Sequence, residues 1–208
     1  MCGRYSSLTK DEIIEICNII EGLSLQILHN DFKIESSHSG EVRPTDNAPV
    51  IIHRGTGAVS IEDLRWGFKK WDSTGVIINA RVETLHIKPM FSRLLHEGRC
   101  VVPTREYYEW EKVGKNKVKH FVKDRDSNLI FMAGLYRKAS KSGKGEYVII
   151  TKDAEGDVRK IHDRMPVILR VDQIEGWLSG KLQPEDIIKA DFMMEVEPCA
   201  GEHVQLSL

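Results

Sequence analysis

Residues 129–151 read LIFMAGLYRKASKSGKGEYVIIT. Two apolar runs in this stretch, LIFMAGLY (129–136) and EYVIIT (146–151), have the length and the aromatic and β-branched content of β-strands. The segment between them, RKASKSGKG (137–145), is polar and contains glycine and serine, which is typical of a loop. The stretch therefore predicts two strands that are joined by a loop inside one domain.

Further strands are predicted on the N-terminal side of this stretch, each bounded by glycine, proline, aspartate or asparagine. They are the runs PVIIH (49–53), VIINA (76–80), CVVP (100–103) and HFVK (120–123). The longer segment KHFVKDRDSNLIFM (119–132) has the pattern of a β-hairpin, with DRDSN (124–128) as its turn.

Apolar residues at helical spacing occur near both ends of the chain and in one segment between the predicted strands. Thr9 and Glu12 form a capping box before an apolar helical face that continues to Gly22. The other predicted helices are KPMFSRLLHEG (88–98), VDQIEGWLSG (171–180) and PEDIIKADF (184–192), the last with Pro184 at its start. Strands in the centre with helices around them predict an α+β fold, and we expect one domain over residues 1–208.

Composition limits the classes of protein to consider. A chain of 208 residues can bury a core without disulfides or metals. The four cysteines are scattered without metal-ligand spacing, so we expect free thiols, no metal and no cofactor. A formal net charge of −1 argues against a protein that coats duplex DNA. The lysine-rich stretches at 112–123 and 137–145 are typical of solvated surface, with a basic groove for a polyanion as the alternative.

The chain contains no run of about twenty apolar residues and no secretory signal pattern at its N-terminus. These features predict a cytoplasmic protein that does not associate with membranes. Nothing in the sequence requires an oligomer, and we expect a monomer.

The N-terminal stretch MCGRYSS places a cysteine directly after the initiator methionine. Removal of Met1 is expected because Cys2 is small, and it would leave an α-amine and a thiol on adjacent carbons of one residue. Such an amine can form a Schiff base with an aldehyde, after which the thiol can close a thiazolidine ring. Acyl transfer with the thiol as nucleophile is a second use, and an incidental cysteine in a frayed terminus is a third interpretation.

Polar residues also occur in four stretches where a core strand would not hold them. INARVET (78–84) has Asn79, Arg81 and Glu83 at alternate positions, which is one face of a strand. In REYYEWE (105–111) the same alternation directs Glu109 away from the face of Trp110. The other two stretches are VIITKDA (148–154), which contains Thr151, and IHDRMPV (161–167), which contains His162 and Arg164. Each stretch alone has an ordinary structural interpretation.

Taken together, these stretches resemble the SRAP family, the SOS-response-associated peptidase-like proteins. The resemblance rests on the order and approximate spacing of motifs over residues 1 to about 170. These motifs are MCGR, the Asn-Ala-Pro of RPTDNAPV, the Arg-Trp-Gly of LRWGF, INARVET, GRCVVP followed by YYEW, FMAGLY, and IHDRMPV. The tail from about residue 190 is short and acidic, and no DNA contacts are expected there.

The resemblance implies a fold and an activity. The expected fold has a central, strongly bent, barrel-like and mostly antiparallel sheet flanked by helices. Proteins of this family bind single-stranded DNA and join covalently to abasic sites, whose ring-opened sugar exposes an aldehyde at C1′. By resemblance the chain is an abasic-site sensor that reacts with its target more than it turns over, and it would lie at the nucleoid when bound to DNA.

The resemblance also implies roles for individual residues. Cys2 is the nucleophile, Asn79 holds the terminal residue and the sugar, Glu109 is the general acid and base, and His162 assists opening of the sugar. A buried Glu109 with a raised pKa and a partly protonated His162 would form an acid–base pair near neutral pH. The implied DNA contacts are Arg4, Arg81 and Arg164 to phosphates, a hydroxyl from Thr151, stacking by Trp71, and packing by Pro49.

Three alternatives remain open from the sequence. One is an N-terminal-cysteine hydrolase of the amidotransferase type, although its further motifs are not found here. Another is a peptidase, the activity in the family's name. The last is a single-stranded nucleic-acid-binding module with an idle cysteine.

Overall fold

Most of the regular secondary structure is β-strand, as the short apolar runs predict. The computed structural model describes residues 2–23, 25–28, 40–55, 57–70, 74–138, 144–189 and 192–205, with the backbone alone for 200–205. Within these ranges the strands are β1 (Arg4–Ser6), β2 (Gln26–Ile27), β3 (Glu41–Val42), β4 (Asn47–His53), β5 (Ala58–Trp66), β6 (Phe68–Lys69), β7 (Val76–Ile77), β8 (Asn79–Arg81), β9 (Arg99–Thr104), β10 (Tyr107–Val113), β11 (Asn116–Asp124), β12 (Ile130–Arg137), β13 (Glu146–Asp153), β14 (Arg164–Pro166), β15 (Ile168–Leu169) and β16 (Met194–Gln205).

The helices are short except for the first one. They are α1 (Lys10–Gly22), α2 (Pro89–Ser92), α3 (Leu94–Glu97), α4 (Val158–Ile161), α5 (Ile174–Leu178) and α6 (Pro184–Ile187), with 3₁₀ turns at Val82–Thr84 and Val171–Gln173. None of the helices in the described ranges combines the length and the hydropathy that a membrane span requires.

The larger sheet closes on itself around β13. Strands β13, β12, β9, β4 and β5 are neighbours in that order, and β5 returns to pair with β13. All pairings in this ring are antiparallel except the one between β13 and β5. The α+β prediction is therefore confirmed, and the ring agrees with the expected bent and mostly antiparallel sheet.

A second sheet has the order β16, β11, β10, β1, β3 and packs on one face of the ring. The apolar residues between the two sheets form one buried cluster, which we call the inter-sheet cluster. Its members from the two sheets and the N-terminus include Cys2, Tyr5, Trp66, Tyr107 and Tyr147. Alternate residues of the ring strands face a different core that contains α1 and α5.

The first helix forms as its capping box predicts. The Thr9 side chain accepts a hydrogen bond from the Glu12 backbone N–H (3.3 Å), and the Glu12 carboxylate accepts one from the Thr9 N–H (2.7 Å). Of the other predicted helices, 88–98 forms two short helices, 171–180 begins as a 3₁₀ turn, and 184–192 begins with Pro184 in its first turn.

The predicted hairpin at 119–132 is wrong. Strand β11 pairs with β10 and β16, whereas β12 pairs with β9, β13 and β15 in the other sheet. Every residue from Ile130 to Tyr136 is buried, so β12 lies inside a sheet with a hydrogen-bonded strand along each edge. Strand β11 is partly exposed and lies in the other sheet. The turn residues between these strands mark a change of sheet.

The nine-residue strand β5 was missed. Strand β5 carries Ser60, Glu62, Asp63 and Arg65, which interrupt the apolar alternation that sequence reasoning depends on. Pairing with all seven residues of β4 keeps the segment extended. The predicted loop at 137–145 overlaps β12 at its first residue, and its residues 139–143 lie outside the described residues.

Candidate active site

Cys2 is fully buried in the inter-sheet cluster, just before β1. The Asn79 side-chain amide donates a hydrogen bond to the Cys2 carbonyl oxygen (2.8 Å), and the Cys2 thiol faces the Arg4 carbonyl oxygen (Sγ···O 3.7 Å). A residue at the start of a chain is usually frayed, but this one is fixed by packing and hydrogen bonds.

The environment of the Cys2 thiol disfavours its ionised form. Burial raises the pKa of Cys2 well above its ordinary value, and the negative charge of Glu109 raises it further. The thiol is therefore protonated at neutral pH.

Asn79 is positioned by β8, which runs parallel to β13. Asn79 pairs with Ile149 and Arg81 pairs with Thr151, so these side chains share one face. Ile149 belongs to the inter-sheet cluster, and this face is therefore the one that Cys2 occupies. Glu83 does not continue the alternation, because the strand ends at Arg81 and Glu83 lies in a 3₁₀ turn.

Glu109 lies at the centre of β10 and is 2% exposed. Its neighbours Tyr108 and Trp110 are half-buried on the opposite face, as the alternation predicts. Burial raises the pKa of Glu109 to about 7. A carboxyl group of this kind can both accept and give up a proton near neutral pH.

His162 follows α4 and approaches Glu109. The distance from His162 Nε2 to Glu109 Oε2 is 3.8 Å. The backbone N–H of Arg164 donates to His162 Nδ1 (3.0 Å), and the Nε2 side of the ring faces Glu109. The Asp163 carboxylate lies 2.8 Å from the same Nδ1 atom and is mostly exposed.

The ionisation of His162 differs from the expectation. Burial lowers the pKa of His162 from its ordinary value of 6.5, while the Asp163 carboxylate acts in the opposite direction. The neutral imidazole therefore predominates at neutral pH, instead of the partly protonated ring that the sequence predicted.

The three arginines predicted to hold phosphates have different surroundings. Arg81 is exposed on the site face. The Arg4 guanidinium pairs with Glu41 (3.0 Å) and lies 5.3 Å from the centroid of the Trp110 ring.

Arg164 is 6% exposed and has several protein partners. Its guanidinium donates to both carboxylate oxygens of Glu83 (2.8 and 3.0 Å), to Asp153, and to the Thr151 carbonyl (2.8 Å). A phosphate would have to displace these acidic groups. The geometry indicates that Arg164 acts mainly by joining β14 to β13 and the 3₁₀ turn.

Of the remaining predicted DNA contacts, Thr151 lies on the site face, whereas Pro49 does not. Thr151 is fully buried on the site face, and its hydroxyl has no hydrogen-bond partner among the described residues. Pro49 is half-buried, but Ala48 and Val50 point into the inter-sheet cluster, so alternation directs Pro49 to the other face. Trp71 lies outside the described residues. The roles of these residues stay predictions.

Sequence reasoning missed two acidic partners and one tyrosine. Glu83 and Asp153 hold Arg164, and no local pattern could have revealed pairs that are 81 and 11 residues apart in the chain. Tyr107 is fully buried beside Cys2 and Glu109, and the alternation of REYYEWE already placed it on the face of Glu109.

The arrangement is suited to proton transfer near neutral pH. A buried cysteine, a carboxyl group whose pKa is about 7, and a mostly neutral imidazole lie together beside the inter-sheet cluster. Among the described residues no cluster of histidine, cysteine or acidic side chains has the geometry of a metal site.

Comparisons with known proteins agree with these motifs. The model of the family described as SOS response associated peptidase (SRAP) matches residues 1–206. The chain is 35% identical over 200 residues to the abasic site processing protein YoqW of Bacillus subtilis, covering 91% of this chain and 85% of the relative. It is 34% identical to YoaM of the same organism, also named an abasic site processing protein, covering 91% and 84%. A crystal structure of a phage-related protein from Bordetella bronchiseptica has the same fold, with a TM-score of 0.74 at 23% identity, covering 97% and 95% of the two chains.

The raised pKa of Glu109 predicts a pH dependence of stability. The carboxyl titrates near 4.3 when unfolded and at about 7 when folded, so only the folded protein keeps its proton between these values. The contribution of this group to the free energy of unfolding should therefore be highest below about pH 4 and be lost as pH rises to about 7, by up to roughly 4 kcal/mol. Urea denaturation across this range should show that Glu109→Gln lacks this component.

The matched control for this measurement is Glu111→Gln, which makes the same change at a half-exposed position of β10. It should keep the wild-type pH dependence. An unchanged pH dependence in Glu109→Gln would show that Glu109 does not have a raised pKa.

Proposed function

The chain belongs to the SOS response associated peptidase (SRAP) family, and from this premise we propose that it processes abasic sites in single-stranded DNA. The names of its curated relatives support an abasic-site substrate. The observation that carries the proposal is Cys2 itself, which is buried, held by Asn79, and placed beside Glu109 and His162.

The proposed reaction starts from a free amine on Cys2, which requires that Met1 be removed. The sugar of an abasic site opens to give an aldehyde at C1′. The amine lone pair adds to the aldehyde carbon, the C=O electron pair moves to oxygen, and loss of that oxygen as water gives an imine. The thiol sulfur then adds to the imine carbon while its proton passes to nitrogen, and the product is a thiazolidine crosslink.

Glu109 and His162 supply the proton transfers. With a pKa of about 7, Glu109 accepts the proton of the attacking amine and returns it to the departing hydroxyl. His162 Nε2 faces the same carboxyl group. The minority of His162 rings that are protonated at neutral pH can give a proton to the sugar ring oxygen as the ring opens, and the neutral ring then takes up another proton from solvent. Each group is used again in reverse when the crosslink is hydrolysed.

The state of the thiol favours this order of steps over a hydrolase mechanism. A cysteine hydrolase attacks with a thiolate, which burial and the Glu109 charge disfavour at Cys2. An amine with an ordinary pKa of ~7.7–8.0 is partly neutral at pH 7, so it can attack first. The thiol is then needed only to trap the imine. Peptidase activity and simple non-covalent binding remain the alternatives to be tested.

We propose that the DNA follows the exposed side of this site. Arg81 is exposed next to Asn79, and Arg159 and Lys160 line an open depression with His162 and Asp163. Cationic side chains of this kind hold the backbone of an unpaired strand without reading its sequence. We further propose that residues 1–208 act as one domain, as a monomer in the cytoplasm.

Substitution of Cys2 tests the proposed function directly. Wild-type protein should lack Met1 by intact mass, and it should give a heat-stable band with abasic single strands but not with intact strands on a denaturing gel. Cys2→Ala should abolish the band while non-covalent binding, measured by fluorescence anisotropy, is retained. The control Cys17→Ala alters a half-buried thiol on α1 and should crosslink normally. A band from Cys2→Ala would disprove the thiazolidine mechanism.

Substitutions of Glu109 and His162 should separate catalysis from binding. We expect Glu109→Gln and His162→Ala to slow crosslink formation by roughly 10²–10⁴-fold, the usual contribution of a general acid or base. Reversal of a preformed crosslink should slow as well, because the same protons move in the opposite direction. Quenched time courses measure both rates, and thermal melting controls for folding. Wild-type rates in a well-folded Glu109→Gln protein would remove Glu109 from the mechanism.

Arg81 should contribute a phosphate contact. For Arg81→Ala we expect weaker binding to all single-stranded sequences, and a plot of log affinity against log salt that is shallower by about 0.7. Anisotropy titrations at several salt concentrations give this slope. Arg93→Ala removes the same charge from a residue that pairs with Glu97 and should leave the slope unchanged. Equal slopes for Arg81→Ala and wild type would show that the DNA backbone does not contact Arg81.

A further inference from the structure

Three buried polar atoms near Cys2 lack hydrogen-bond partners among the described residues. They are the Tyr107 hydroxyl, Asn79 Oδ1 and the Thr151 hydroxyl. A buried polar group without a partner costs about 1–3 kcal/mol, so folded proteins retain few of them. Their concentration at one site indicates that a ligand with several oxygen atoms completes the hydrogen bonding. Asn79 and Thr151 already have expected roles, whereas Tyr107 has none.

The backbone fixes where the Tyr107 side chain points. Tyr107 lies two residues before Glu109 on β10, so both side chains are on the same face, roughly 7 Å apart along the strand. It pairs directly with Tyr5 of β1, and it is fully buried in the inter-sheet cluster together with Cys2. The hydroxyl is therefore directed into the space that Cys2 and Glu109 share.

A neighbouring pair of tyrosines shows how the same cluster normally satisfies such groups. The hydroxyls of Tyr5 and Tyr147 are both buried, and they hydrogen-bond to each other. The Tyr147 ring is stacked on Trp66, with 6.4 Å between ring centroids. The inter-sheet cluster can thus supply a hydrogen-bond partner for a buried hydroxyl. The missing partner of the Tyr107 hydroxyl therefore needs another explanation.

We propose that the Tyr107 hydroxyl donates a hydrogen bond to the oxygen on C1′ of the opened abasic sugar. The inference rests on the proposed function and adds a group to its site. When the Cys2 amine adds to C1′, the carbonyl electron pair moves to this oxygen, which gains negative charge until it is protonated. A fixed O–H donor in a buried site stabilises that charge as oxyanion-hole donors do. Tyr107 keeps its own proton throughout, and Glu109 carries the proton that leaves with water.

The environment of Tyr107 supports donation without proton transfer. Burial raises the pKa of Tyr107 well above its ordinary value of 10, and negative charge on nearby Glu109 raises it further. The hydroxyl therefore stays protonated at any pH at which the protein works. It can serve as a donor before, during and after addition of the amine.

Tyr107→Phe tests the proposal, because a structural role and a binding role predict opposite changes in stability. Removing an unpartnered buried hydroxyl should leave the melting temperature unchanged or raise it. Crosslinking of abasic single strands should slow by roughly 10²-fold, as when one oxyanion donor is lost. The matched control is Tyr147→Phe, which leaves the Tyr5 hydroxyl without its partner and should lower the melting temperature.

A second measurement does not depend on covalent chemistry. In a Cys2→Ala background, binding is compared for a strand with a borohydride-reduced abasic site, which has a C1′ hydroxyl, and a strand with a tetrahydrofuran site, which lacks it. Tyr107→Phe should weaken binding to the first strand by about tenfold and leave the second unchanged.

The possible outcomes separate this inference from the proposed function. A Tyr107→Phe protein that crosslinks at the wild-type rate and binds both strands like its parent overturns the role of Tyr107 alone. A lower melting temperature with equal losses on both strands also overturns it, because that result indicates packing. Absence of any crosslink with wild-type protein overturns the covalent function, and discrimination between the two strands then still decides whether Tyr107 binds the C1′ oxygen.

Discussion

The hydrogen-bonded pairing of β13 is the constraint on which the rest of the structure depends. One edge of this strand pairs with β12 and then with β14, and the other pairs with β5 and then with β8. The contact with β5 closes the ring, and the contact with β8 fixes the position of Asn79. A slip of one residue between β8 and β13 would turn Asn79 away from the Cys2 carbonyl, since side chains alternate between faces. The strand that closes the ring, β13, therefore also sets the position of Asn79 in the site.

Burial at the junction of the two sheets shifts the pKa values of two ionisable groups in opposite directions. It raises the pKa of Glu109 to about 7 and lowers that of His162 below 6.5, although the two residues lie on unrelated elements. Both shifts favour the neutral forms of the two groups, and the distance from His162 Nε2 to Glu109 Oε2 is 3.8 Å. A single physical cause, loss of contact with water, therefore produces an acid–base pair without a metal or a cofactor in the proposed mechanism.

Local features of the fold could be predicted from the sequence, and long-range pairings could not. The capping box of α1, the strands at 49–53, 100–103 and 146–151, and the inward direction of Glu109 follow from patterns of a few residues. The partners of β11 and β12 depend on how much surface each strand must bury, so the local turn signal gave the wrong hairpin. For the same reason Arg164 was predicted to contact DNA, and its pairing with Glu83 and Asp153 was not foreseen.

The burial of Cys2 also has a consequence for the time at which the protein matures. Its hydrogen-bond partner Asn79 is 77 residues further along the chain, and the strands that cover the cluster, β10 and β13, are later still. At about 5–20 residues per second, roughly 4–15 s pass between the synthesis of Cys2 and that of Asn79. Cys2 is thus enclosed only after the much later segments that cover it have been made. An enzyme that removes Met1 has its best opportunity during this interval, before folding encloses Cys2 between the two sheets.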